Sequence, residues 1–155
     1  MHPLPPLLLC AAAALHVPGA LAMYPESTEP VANQADPDFT AGKAAVKAKD
    51  WPRAIAALNA AARRDNNNAD IHNLLGYAQR NNGNFGLALK HYDRALTLDP
   101  KHLGAREYLG ELHLQQNNLA KAEEQRAELT RLCPKSCEEL TELSEKIDDY
   151  KKKLR

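Results

Sequence analysis

Cys133 and Cys137 flank Pro134-Lys135-Ser136 and carry the sharpest chemistry in the chain. A C-x-x-x-C pair can close a disulfide, remain as free thiols, or act as a redox or metal site through a thiolate whose pKa a helix N-terminus would depress. A disulfide is the first reading, because these two remain if Cys10 is lost with an N-terminal leader and the count is then even. In the chain-entropy account a loop this short gives about 2 kcal/mol.

The other reactive types form no constellation. Ser27, Ser136 and Ser144 lie outside any G-x-S-x-G, and Gly83 with Gly86 builds neither a P-loop nor a dinucleotide fingerprint. His72, His91, His102 and His113 never recur at the i, i+3 or i+4 spacing of a helical metal site. No enzyme, cofactor or metal site is therefore expected. The 155 residues hold 20 Lys+Arg and 20 Asp+Glu, so no net field selects nucleic acid or an anionic membrane.

The elements that position these residues begin after a leader. Leu7 to Leu15 is an apolar run of signal-peptide length, too short to span a bilayer. Pro18 and Gly19 break it, and Ala20-Leu21-Ala22 offers the small residues of a cleavage site, although no Lys or Arg precedes the run. The expectation is a signal peptide over 1–22, cut after Ala22, and a disordered, Pro/Glu/Ser/Thr-rich leader over 23–35. Export points to the periplasm first and to secretion second.

Beyond it the sequence repeats. Gly42, Gly76 and Gly110 stand 34 apart, as do Ala54, Ala88 and Ala122, and the turn residues Asp50, Asn84 and Asn118. Asn66, Pro100 and Pro134 fall on the same grid, where Pro ends a helix. Units over 35–68, 69–102 and 103–136 follow, each two helical stretches split by a polar turn whose Asp or Asn can cap the second helix. In the middle unit Leu75, Ala78, Phe85, Ala88, Leu89, Tyr92, Ala95, Leu96 and Leu98 give both stretches an apolar face. The recurring Gly and Ala let helices approach closely. Trp51, where Phe85 and Leu119 stand in the other units, reads as core.

Leu75-Gly76, Phe85, Ala88, Tyr92, Ala95 and Pro100 resemble the defining positions of the tetratricopeptide repeat. The outer units depart from it: Ala41 stands for Leu in the first, and Arg126 and Leu129 for the aromatic and small residues in the third, as solenoid ends require. The resemblance implies an all-α, right-handed α-solenoid of three helix-turn-helix units. A C-terminal capping helix over 137–155 would open on a Ser136/Glu139 capping box and bury Leu140, Leu143, Ile147, Tyr150 and Leu154.

The resemblance also implies a concave face that takes a protein or peptide partner, lined by the first helix of each unit. On this register that polar set is Lys43, Lys47, Asn73, Tyr77, Arg80, Asn81, Glu107, Glu111 and Gln115. Replacing Tyr77 and Arg80 should then weaken binding and leave melting nearly unchanged. Some relatives clamp a partner's C-terminal carboxylate, but Leu74, Gly104 and Tyr108 stand where that clamp needs polar or basic groups. No nucleic acid and no small-molecule substrate is expected, and a membrane only through a partner. The readings are thus a non-enzymatic interaction scaffold, a metal or thiol-redox assembly chaperone using Cys133 and Cys137, and self-association through open stack ends.

Overall fold

The computed structural model describes residues 36–155; the expected signal peptide and leader lie outside them. Seven helices follow one another within the described residues: α1 (Pro37–Lys47), α2 (Trp51–Arg64), α3 (Ala69–Asn81), α4 (Phe85–Leu98), α5 (Leu103–Gln115), α6 (Leu119–Leu132) and α7 (Glu138–Lys153). None of them is long and apolar enough to cross a membrane. The first six pair as α1/α2, α3/α4 and α5/α6, and α7 packs against both α5 and α6.

Local chemistry sets the helix ends. Asp36 caps α1 by accepting from the Asp38 and Phe39 amides at 2.8 and 2.9 Å, and Pro37 sits where its missing N–H costs nothing. Arg64, at the end of α2, grips the same Asp36 through Nε at 2.8 Å and reaches Asp38 at 2.6 Å. That guanidinium, with the Phe39 amide, holds the Asp36 carboxyl down at about 2. Asp50 and Asn118 cap α2 and α6 through the Arg53 and Lys121 amides, both at 3.2 Å. Asn84 makes no cap and donates instead to Gln79 Oε1 at 2.8 Å. Inside each unit the turn passes through a left-handed residue on the 34-residue grid: Lys49, Gly83 and Asn117, with φ of 57°, 83° and 59°.

The apolar interior is a series of clusters, each shared between neighbours. Ala45, Ala54, Leu58, Ala61, Ile71, Leu75 and Ala78 form one; Ala88, Tyr92, Leu109 and Leu112 the next; Leu114, Ala122, Leu129, Leu143 and Ile147 the last. Helix pairs close at the repeated glycines. A methyl group on Gly42 would stand 2.6 Å from Leu58 Cγ, and one on Gly76 the same distance from Tyr92 Cδ1. Both neighbours lie on the second helix of the same unit, 16 positions on. The third unit breaks this rule, since Gly110 meets Leu143 of α7 at 2.6 Å. Arg126, in the place of Tyr92, turns aside to pair with Glu123 at 2.5 Å. Leu129 is fully buried where α7 covers it.

Two expectations are corrected. The capping box at Ser136 does not form: Ser136 has φ of 136°, Cys137 is the N-cap of α7, and no side chain caps that end. The chain between the two cysteines turns too tightly for the Ser136 hydroxyl to lie over the first turn. Leu154 is 65 % exposed, beyond the helix, and takes no part in the buried stripe. Trp51 packs against the first cluster, in keeping with its reading as core, and stays half-exposed.

Gly76→Ala should lower stability by about 1–3 kcal/mol, because overpacking against a buried ring outweighs the gain of up to about 1 kcal/mol in helix propensity. Gly86, with nothing within 4 Å of an added methyl, is the control. Its replacement by Ala should stabilise by about 0.5–1 kcal/mol. Chemical denaturation of the two variants checks both signs.

The corner between α6 and α7 carries a second expectation. Cys133 and Cys137 have Cα atoms 5.8 Å apart, within bridging range, and Cys133 is 9 % exposed. Replacing both by Ser should leave the helix content intact and lower the melting temperature by several degrees, as loss of about 2 kcal/mol from so short a loop implies. Circular dichroism melting, with and without reductant on the parent, measures it.

Candidate functional site

The first helices of the units, α1, α3 and α5, lie side by side and present one face. Of their nine sequence-predicted residues, Tyr77 is half-buried and the other eight divide into two sets. Lys43 and Lys47 on α1, Asn81 on α3 and Gln115 on α5 are exposed. Asn73, Arg80, Glu107 and Glu111 are 5–8 % exposed, so they do not form the solvated polar lining that was expected. Helix periodicity shows which way a side chain points but not what covers it. Here adjacent first helices and α7 cover these four.

Burying charge requires compensation. Arg80 Nη1 meets Glu111 Oε2 at 2.6 Å, with side chains 5 % and 9 % exposed. Lys146 of α7 pairs with the other oxygen, Glu111 Oε1. One carboxylate from α5 is thus held by α3 on one side and α7 on the other. Glu107 lies one turn earlier, facing Glu142 of α7. Burial, then the Glu142 carboxylate, then Glu111 push its carboxyl up to about 8.

Aromatic rings border this network. Tyr77 packs edge-on against Trp51, with centroids 5.9 Å apart and planes at 73°, and tilts against Tyr108 at 4.7 Å. The Arg80 guanidinium stands 5.4 Å from the Tyr77 ring and 5.9 Å from the Tyr108 ring, a cation–π arrangement. Burial and the nearby Glu107 push the Tyr108 hydroxyl up to about 12. On α1, Lys43 Nζ lies 4.7 Å over the Phe39 ring. Trp51, Tyr77, Tyr108 and Phe39 all keep partial exposure. Asn81 donates to the Tyr77 carbonyl at 2.8 Å. Toward the other end, a cleft of about 350 Å³ between α5 and α7 is lined by Arg80, Glu111, Leu114, Gln115, Lys146 and Tyr150 among others.

Sequence spacing missed two histidine contacts because each joins different helices. His72 Nδ1 lies 3.2 Å from His91 Nδ1, and its Nε2 donates to the Asn66 carbonyl at 3.1 Å. With Nε2 of His72 carrying its proton, His91 Nδ1–H is the donor between the rings. His102 caps α5 with Nδ1, 3.2 Å from the Ala105 amide, and its Nε2 donates to Asp70 at 3.0 Å. Asp70 and His102 are 32 positions apart, so only the stacking of consecutive units brings them together.

The expectation that Tyr77 and Arg80 can be removed without cost is corrected for Arg80. Arg80→Ala should destabilise the fold by about 3 kcal/mol, toward the lower end for breaking a buried pair because Lys146 remains. Arg80→Met combined with Glu111→Gln should recover part of the loss. Denaturant midpoints of the three proteins decide this.

Comparison with known proteins places the arrangement. The family model described as tetratricopeptide repeat matches residues 39–102 and 78–136. No curated protein sequence matches the chain. Among solved structures, the Yersinia enterocolitica type III secretion translocator chaperone SycD is similar over 75 % of this chain and 82 % of its own, at 20 % identity and TM-score 0.67. PcrH, solved with the chaperone-binding region of PopD, aligns over 76 % and 91 % at 18 % identity and TM-score 0.67. The first such domain of Spaghetti (RPAP3), bound to an HSP90 peptide, aligns over 76 % and 90 % at 16 % identity and TM-score 0.66. With its paired helices closing on repeated glycines and a family match covering most of the described residues, the chain belongs to the tetratricopeptide repeat family.

Proposed function

We propose that this chain is a non-catalytic interaction module that holds a segment of a partner protein on the face of its first helices, at the α1/α3 end. The observation that carries the reading is the uneven state of that face. Its α5 side is occupied by the ion pairs of Glu111 and by α7. Its α1 side leaves Lys43 and Lys47 in solvent, beside the half-exposed Phe39, Trp51 and Tyr77. Rings held rigid by neighbours make anchors at small entropic cost, and exposed lysines steer an acidic segment. The partner segment is therefore anionic, with an aromatic or aliphatic side chain among its acids.

Related folds support a peptide partner: SycD has been solved with a peptide of the translocator YopD, PcrH with a region of PopD, and the RPAP3 domain with an HSP90 peptide. We place this work outside the cytoplasm, in the periplasm, on the strength of the apolar run and the Ala20-Leu21-Ala22 site. The thiol or metal chaperone reading gains no support from the fold. Among the described residues, the three acidic or metal-ligating side chains that come within reach of one another are Glu107, Glu111 and Glu142, with neither cysteine.

Affinity capture from an envelope fraction, read by mass spectrometry, identifies the partner. Lys43→Glu with Lys47→Glu should weaken its binding roughly tenfold or more, with stronger salt dependence in the parent, and leave melting unchanged because both side chains are exposed. Tyr77→Ala should cost the partner about 1–4 kcal/mol. A partner that binds both variants as tightly as the parent rules this face out.

A further inference from the structure

The first turns of α7 enclose a cavity of about 210 Å³ against α3 and α5, lined by Asn73, Gly104, Glu107, Tyr108, Glu138, Glu139 and Glu142. Four of its six polar side chains are carboxyls. Glu107, Glu111 and Glu142 each bring one carboxylate oxygen within 4.8 Å of the others. Two further observations set the cavity apart from a solvated acidic patch. Asn73 is 7 % exposed, and its amide oxygen has no hydrogen-bond partner. Glu107 is 5 % exposed, and its Oε1 has none either.

Acidic groups outnumber basic ones. Beside the buried Glu107, the carboxylates of Glu111, Glu138, Glu139 and Glu142 face two cations, Arg80 and Lys146, and both are committed to Glu111. Lys146 approaches Glu142 no nearer than 3.9 Å. A buried oxygen left without a donor, beside carboxylates left without a counter-charge, is an arrangement that a hard cation completes.

We propose that this cavity binds a calcium ion, with Asn73 Oδ1, Glu107 and Glu142 as direct ligands, water filling the remaining positions, and Glu138 and Glu139 supplying negative potential at the rim. The donor set selects the ion. Carboxylate and amide oxygens suit a hard cation, and there is no imidazole or thiolate among them to favour zinc or copper. Bonds of about 2.4 Å let calcium bridge oxygens up to about 4.8 Å apart, whereas magnesium demands about 2.1 Å in a strict octahedron. Bound there, the ion ties α3, α5 and α7 together and fastens the last helix to the stack. This assignment stands apart from the partner-binding reading of the α1/α3 face.

Terbium luminescence tests it, because Tyr108 in the cavity wall can sensitise an ion bound beside it. Purified full-length chain titrated with terbium chloride should give saturable emission on excitation of the aromatic side chains. Calcium chloride should displace the terbium, and magnesium chloride should do so much less well. Glu107→Gln keeps the size and shape of the buried side chain and Glu142→Gln alters a half-exposed residue, so both should fold. Each should bind terbium roughly tenfold or more weakly. Calcium should raise the melting temperature of the parent and not of the variants. Absence of saturable emission from the parent, emission of undiminished affinity in both variants, or a parent whose melting calcium leaves unmoved overturns the proposal. The last measurement needs no variant.

Discussion

The architecture rests on how closely two helices can approach at a residue without a side chain. At Gly42 and Gly76 the neighbouring helix leans in until Leu58 or Tyr92 fills the space a methyl group would take, and the two helices of a unit are locked by that contact. The third unit keeps the glycine but has Arg126 where the filling side chain would stand, and a guanidinium there would be buried without a partner. Leu143 of α7 fills the space instead. The seventh helix is therefore more than a polar cover on an exposed end. It supplies the side chain that the last pair lacks, and it must lie against α5 to do so.

That position sets the electrostatics of the inner face. Once α7 lies along α5, Lys146 reaches Glu111, which already holds Arg80 from α3, and Glu142 comes against Glu107. A polar row that would otherwise face solvent becomes part of the interior on one side, while α1 and the near edge of α3 keep theirs open. One packing requirement at Gly110 thus divides the face into a filled half and a free half. The free half has the lysines and the partly exposed rings, and the filled half has the surplus of acid.

The sequence made the repeats legible because each unit fixes the same few small, large and turn residues 34 positions apart, and a period needs no knowledge of neighbours. The departures of the third unit were legible too, as Arg126 and Leu129, but their meaning was not, since the side chain that answers them is on another helix. The same limit explains the site. Lys43 and Lys47 lie in solvent as their register implied, whereas Glu111, on the same grid position as Lys43, and Arg80, one position before that of Lys47, are buried by contacts with separations of 31 and 35 positions. His72 with His91, and Asp70 with His102, escaped for the same reason. Ser136 illustrates a different failure: S-x-x-E marks a capping box only where the chain enters the helix freely, and here it enters from a tight turn at Cys133 to Cys137.

An interior built as successive clusters, each shared by adjacent helices, has a kinetic and spectroscopic signature distinct from that of a single core. The C-terminal end is secured by α7, by the Glu111 network and by Lys151 reaching Glu123 across to α6. At the other end, α1 and α2 share one apolar cluster with α3, and the solvent-facing grip of Arg64 on Asp36 and Asp38 ties their outer ends. Opening therefore starts at α1 and α2 and runs toward α5. Amide protons should exchange along that gradient, fastest in the two helices that carry the free half of the inner face.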